Sequence, residues 1–283
     1  MNDPLLPEIT PPTILELPED IYHRCPGVSK HDLDQFDISP LHYITSKSAG
    51  FVASEPFQIG TLTHTAILEP HRFSDSYVLA PDCDKRSKDG KERWAIAEEK
   101  ASLEGKILVK EENLAHILAM RNAVKEHRSA AAALSSGGLV EPSLFAINSE
   151  FNVLMRARPD MLPKGNAIVD VKTCQLGKGG YAEFARSVAN FRYHVQAAWY
   201  LDICKALGMD KSCFVFIVVE KEAPYAVATY ELDSESVEAG RQEYRRNLEF
   251  FAKCLANDEW PGYSQNVEVI NLPKWAIRQA AAA

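Results

Sequence analysis

The sequence predicts an α/β fold, a central mixed sheet flanked by helices and preceded by a mainly helical N-terminal half. Three observations predict it. Apolar residues recur at helical spacing ahead of Gly137-Gly138, short β-rich segments follow that pair, and the rest runs as two helices, two strands and a long helix. No internal repeat divides the chain. Residues 1–27 therefore read as an extended arm and 28–283 as a single domain, with 28–136 its mainly helical part and 137–260 its core.

Each element has its own justification. Pro4, Pro7, Pro11, Pro12 and Pro18 lie among acids and break up any long element in the arm. Ser29 and Ser39, the latter followed by Pro40, are N-cap candidates for two short helices. Residues 57–68 put Ile59, Leu62 and Ala66 on one side of a helix. A charged loop, 81–91, leads into a helix around Trp94, and 111–128 carries Leu114, Ile117, Leu118 and Val124 at helical spacing. Strands are expected over 139–147, 151–161 and 167–173, joined by turn-like Asn148-Ser149 and Lys164-Gly165-Asn166. Helices over 181–188 and 193–207, strands over 213–220 and 225–232, and a helix from 234 to about 255 complete the reading.

Composition removes several classes of function. An apolar share of 46% with a quarter of residues charged is that of an ordinary globular protein. The longest apolar run, from Phe214 to Val219, is far too short to cross a membrane, and acids and prolines stand where a signal peptide would be basic and then apolar. A cytoplasmic protein without a membrane partner is expected. The six cysteines form no CxxC pair and no His lies at zinc-ligand spacing, which points to reduced, mostly buried thiols. A net charge of −8 weighs against bulk electrostatic coating of nucleic acid and leaves room for a local basic groove.

One constellation carries chemistry. Alternation along 151–161 puts Arg156, Arg158 and Asp160 on one face, and along 167–173 it groups Ile168, Asp170 and Lys172. If the two strands pair through the 164–166 turn, Asp160 and Asp170 converge with Lys172 beside them. Converging carboxylates repel unless a cation lies between them, and hard oxygen ligands suit Mg²⁺ or Mn²⁺. Such an ion lowers the pKa of a bound water and stabilises charge on a phosphate, with a lysine to orient the water. The same residues also fit a plain cross-strand ion pair. Spacing of i, i+4 puts Gln196 and Tyr200 on one helical face.

The motifs together resemble a known family. Arg158-Pro159-Asp160, then nine residues, then Asp170-Val171-Lys172-Thr173 is similar to the PD-(D/E)XK nuclease signature, and Gln196-Ala197-Ala198-Trp199-Tyr200 matches the Gln-x-x-x-Tyr motif of its RecB-type members. The run from Gly60 to Pro70, containing His64, resembles the helix with which RecE-type exonucleases (exonuclease VIII) supply a metal-binding histidine. Residues 29–33 with 39–43, and 86–91 with Trp94, are similar to that family too, and the likeness spans roughly 28–255 in preserved order.

The resemblance implies a PD-(D/E)XK restriction-endonuclease-like core and a Mg²⁺-dependent exodeoxyribonuclease, with Mn²⁺ able to substitute. It implies Asp160, Asp170 and His64 as metal ligands, Lys172 as the catalytic lysine, Gln196 as an aligning residue, and Tyr200 beside the DNA backbone. Glu141 corresponds to a further acid of some relatives, and Asp170 stands where many have Glu. Arg86, Lys88, Lys91, Arg158, Lys178 and Arg192 are candidate phosphate contacts. The implied substrate is the end of linear double-stranded DNA, degraded 5′→3′ by a ring-shaped homo-oligomer that hands single-stranded DNA to a RecT-type annealing protein for recombination. A RecB-like nuclease of other polarity or single-strand preference, and a catalytically silent DNA-binding protein of the same fold, are the alternatives. Residues 176–180 lack the spacing of a phosphate-binding Walker loop.

Overall fold

The computed structural model describes residues 6–49, 54–272, 274 and 277. Residues 1–27 are expected as an extended arm, and the described part, 6–27, is extended only in part. β1 (Thr13–Leu15) joins a sheet, and α1 (Glu19–Arg24) buries Tyr22. The two serine-started helices form as expected: α2 (Lys30–Ile38) opens on a capping box between Ser29 and Asp32, and α3 (Pro40–Ala49) follows Ser39. α4 (Glu55–Leu68) is capped by Ser54. A 3₁₀ turn, Phe73–Asp75, precedes β2 (Tyr77–Leu79), and β2 pairs in parallel with β3 (Ile107–Val109) around α5 (Lys88–Leu103). These three-residue strands are too short for alternation to reveal. α6 (Glu111–Glu126) is followed by α7 (Arg128–Ser135), an alanine-rich helix not expected from the sequence.

Past Gly137 two expected strands turn out to be broken. Residues 139–147 divide into β4 (Gly138–Val140) and β5 (Ser143–Asn148), and 151–161 into β6 (Val153–Ala157) and β7 (Met161–Pro163). Pro142 and Pro159 sit in the breaks, where neither can donate to a ladder. The two breaks lie side by side, since Glu141 donates its backbone N–H to the Asp160 carbonyl at 2.9 Å. Each chain thereby leaves one sheet and enters another. The smaller sheet has the order β1-β5-β6, and β7 and β4 end the central sheet, β10-β9-β8-β7-β4.

In that central sheet β8 (Ala167–Cys174) and β9 (Cys213–Glu220) are parallel, and the other pairings, including β10 (Val227–Glu231), are antiparallel. The turn at 164–166 does make a hairpin, but between β7 and β8, in register Met161 with Val169. Two faces bury two cores. Ile168, Phe214, Phe216 and Val218 pack with α8 (Tyr181–Asn190), α9 (Tyr193–Ala206) and α10 (Ser234–Asn257), while Val169, Val171, Ile217 and Val219 pack with α4 and α6. A mixed sheet between helices is the predicted fold class. Among the described residues no helix is long and apolar enough to cross a membrane.

Candidate active site

Strand alternation gives Asp170 and Lys172 the side of β8 that carries Ile168, under α9. Asp170 is buried, with Oδ1 accepting from Nε2 of Gln196 at 2.6 Å and Oδ2 lying 2.7 Å from Nζ of Lys172. Lys172 also donates to Oε1 of Gln196 at 3.0 Å, and its ammonium stands 4.5 Å from the centre of the Tyr193 ring. Both ends of one amide are thus used to lock a carboxylate to a lysine. Tyr193, Gln196 and Tyr200 recur at helical spacing along α9, which brings all three to the sheet.

Asp160 arrives from the break between β6 and β7, not from within a strand as expected. Its Oδ2 accepts from the backbone N–H of Val171 at 2.7 Å and lies 3.4 Å from Nδ1 of His64, which reaches in from α4. The sheet end therefore joins His64 from one helical layer to Gln196 from the other. Glu141, in the neighbouring break with φ +46°, holds Nη2 of Arg158 at 3.0 Å.

The charges compensate one another. Burial disfavours the charged form of His64, but Asp160 at contact and Asp170 beyond outweigh it and push its pKa up to about 9. Burial likewise opposes ionisation of Asp160, yet His64, Lys172 and the Val171 N–H hold its carboxyl below the usual range. Asp170 goes the other way: burial, helped by Asp160, raises it despite Lys172. Lys172 is raised because Asp170 and Asp160 overcome its burial. Burial raises Glu141 too, Asp160 adding to the effect and Arg158 opposing it.

The residue types suit a hard divalent cation, with the carboxylates of Asp160, Asp170 and Glu141 and the His64 imidazole at this end of the sheet and a buried Asp170 Oδ2 that makes no well-formed hydrogen bond. Among the described residues no three of His, Cys, Asp and Glu are gathered as ligands of one ion. In their present places His64 and Lys172 do the neutralising.

The remaining site candidates are distributed unevenly. The hydroxyl of Tyr200 donates to the Arg158 carbonyl at 3.4 Å, which turns it to the strand break. Arg158 donates to the Leu17 carbonyl, Ser143 and Glu141, and Arg192 is paired with Asp34, Asp37 and Glu243, so both guanidiniums are engaged inside the protein. Arg156 is buried, donating to the carbonyls of Tyr22, His23 and Cys25 and pairing with Asp32. It fastens α1 to the sheet and is no surface cation. Arg86, Lys88 and Lys91 are exposed at the start of α5, and Lys178 is exposed beside Glu183. Tyr193 is not among the site candidates the sequence offers. Its i, i+3 relation to Gln196 is the trace that could have placed it at Lys172.

A carboxylate at a strand break, then a carboxylate and a lysine two residues apart on the next strand of a mixed sheet, make up the frame of the PD-(D/E)XK class. The chain belongs to the family described as "PDDEXK-like domain of unknown function" (DUF3799), whose sequence profile matches residues 29–273. The fold is similar to the crystal structure of a protein from Eubacterium rectale described as a "putative exonuclease", with a TM-score of 0.59 at 11% identity, covering 95% of this chain and 100% of that one. No functionally curated protein matches the sequence.

Proposed function

We propose that this protein is a divalent-metal-dependent exodeoxyribonuclease that hydrolyses phosphodiester bonds of linear double-stranded DNA, 5′→3′, leaving single-stranded DNA for recombination in the cytoplasm. The observation that carries this reading is the Asp170–Lys172–Gln196 set, closed by direct contacts, beside the Asp160–His64 pair. Mg²⁺ or Mn²⁺, held by Asp160, Asp170 and His64 with Glu141 as a further acid, would lower the pKa of water and stabilise charge on the phosphate.

The chain's own residues do the positioning. Lys172, pinned by Asp170 and Gln196, presents an ammonium that can donate to a water or a phosphate oxygen at a fixed place. Gln196 keeps the Asp170 carboxylate in one orientation. Tyr200 steadies the break that carries Asp160, so in this structure it is a positioning residue. Arg86, Lys88, Lys91 and Lys178 remain as surface cations for phosphates. The RecE-type polarity, a ring-shaped homo-oligomer on the DNA end and a RecT-type partner are supported by the likeness of the His64 helix to that of the RecE exonucleases.

Linear duplexes labelled at the 5′ or 3′ end and a closed circular duplex, each incubated with Mg²⁺, test the reading. Release of nucleotides from the 5′ end of linear DNA alone is expected, with the Lys172→Ala rate lower by about 10²–10⁴-fold. No release by the wild type, or full release by Lys172→Ala, overturns it.

A further inference from the structure

Phe191 closes α8, immediately before the helix that carries Gln196, and is 60% exposed. An exposed phenylalanine by itself is ordinary. Its surroundings are not. The ring stacks on Tyr193 with centroids 5.6 Å apart and planes at 30°, and Tyr193 is the ring over which the Lys172 ammonium sits. A single ring therefore separates Phe191 from the candidate catalytic lysine. Tyr193 in turn packs against Phe184 and Phe216, so the lower ring is wedged in the core.

The backbone beneath Phe191 is equally fixed. Its N–H donates to the Ser187 carbonyl at 2.9 Å, and its own carbonyl accepts from Nζ of Lys30 at 2.9 Å across from α2. The next residue, Arg192, is in the left-handed conformation at φ +55° and is paired with carboxylates of Asp34, Asp37 and Glu243. A non-glycine residue takes that conformation at a cost, which the ion pairs from α2 and α10 offset. The outcome is a rigid aromatic face, open to solvent, at the rim of the site.

We propose that Phe191 is a base-stacking platform: with a phosphate of a DNA strand at Lys172, a neighbouring terminal or unpaired base lies on the exposed Phe191 ring. This rests on the nuclease reading above. A base offers a flat π face of any sequence, and Phe191 offers a π face with no hydrogen-bonding group, so the contact holds the end of a strand without reading its sequence. The charge arrangement agrees, since the ammonium lies inward at the phosphate and the neutral ring outward at the base.

The test uses blunt duplexes carrying 2-aminopurine at one terminus or the other, with wild type, Phe191→Ala, Phe191→Leu and Phe191→Trp, in EDTA so that nothing is cleaved. Wild type and Phe191→Trp should quench the fluorophore at one terminus. Phe191→Ala and Phe191→Leu should lose the quenching and bind roughly 5- to 150-fold more weakly, the range that stacking of one base spans. Phe191→Leu keeps an apolar cover on Tyr193 but has no π face, and so separates stacking from shielding. If Phe191→Ala and Phe191→Leu bind and quench like wild type while wild type degrades DNA in Mg²⁺, the platform is wrong and the nuclease reading survives. If wild type quenches but cleaves nothing in Mg²⁺, the platform stands and the nuclease reading falls.

Discussion

His64 and Asp160 touch at 3.4 Å, and that contact has a consequence for stability. The folded-state pKa of His64, about 9, lies above the ordinary 6.5 because its neighbours are anionic. Folding therefore favours the protonated imidazole. The stabilisation is complete below about pH 6.5 and is lost as pH rises through about 9. In EDTA, the stability of wild type relative to His64→Asn should fall by something of order 2 kcal/mol between pH 6.5 and 9.5. Urea unfolding of both proteins across that range measures it, and parallel curves would show that His64 carries no such proton. Asp170 differs from Asp160 because at Asp170 burial, helped by Asp160, outweighs Lys172, whereas at Asp160 His64, Lys172 and the Val171 N–H outweigh burial.

At the scale of elements, the position of α9 decides the site. Gln196 reaches Asp170 from α9, and α10 packs close behind that helix. Gly240 of α10 makes that approach possible, since a Cβ there would stand 2.3 Å from the His194 carbonyl oxygen and 2.8 Å from the Val195 nitrogen. Both contacts are with backbone, so neither helix can yield by turning a side chain. Gly240→Ala should destabilise the protein by about 1–3 kcal/mol, read as a lowered urea midpoint at unchanged slope. Because the displaced backbone lies next to Gln196, nuclease activity should fall further than the loss of folded protein explains. A Gly240→Ala protein with wild-type midpoint and activity would mean that the helices have slack. The paired strand breaks are the second such device: Pro142 and Pro159 end the ladders where Glu141 and Asp160 must leave the sheet.

The molecule as a whole carries a net charge of −8, and its site accounts for some of the acidity in Glu141, Asp160 and Asp170. On the proposed nuclease reading, affinity for DNA comes from local cations. Arg158 and Arg192 are occupied inside the protein, which leaves Arg86, Lys88, Lys91 and Lys178 exposed. Four phosphate contacts give a log–log salt dependence of binding with a slope of about −3 to −4. Replacing Lys88 and Lys91 by Ala should reduce that slope by about 2 and weaken binding alike for all sequences, as fluorescence anisotropy over a salt series would show. An unchanged slope would place the DNA path elsewhere.

Much of this was legible in the chain. Ser29 and Ser39 mark their helices because capping is a local interaction, and residues 167–173 and 213–220 read as strands because β-rich runs declare themselves within a few residues. Asp160, Asp170 and Lys172 stand out by strand alternation and spacing, and His64 and Gln196 by the likeness of their motifs to the nuclease family. The broken strands were not, since a strand that changes sheets keeps the same apolar pattern on both sides of the break. Arg156 and Arg158 alternate like surface cations, and only long-range packing shows them turned inward to the carbonyls of residues 17–25. Sequence by itself determined the longer helices and strands, the order of the motifs and the residue types they carry, because these depend on neighbours in the chain. Tertiary structure alone decided that His64 meets Asp160, which arginines are turned inward and which aromatic stands beside Lys172, because those contacts join residues tens to more than a hundred positions apart.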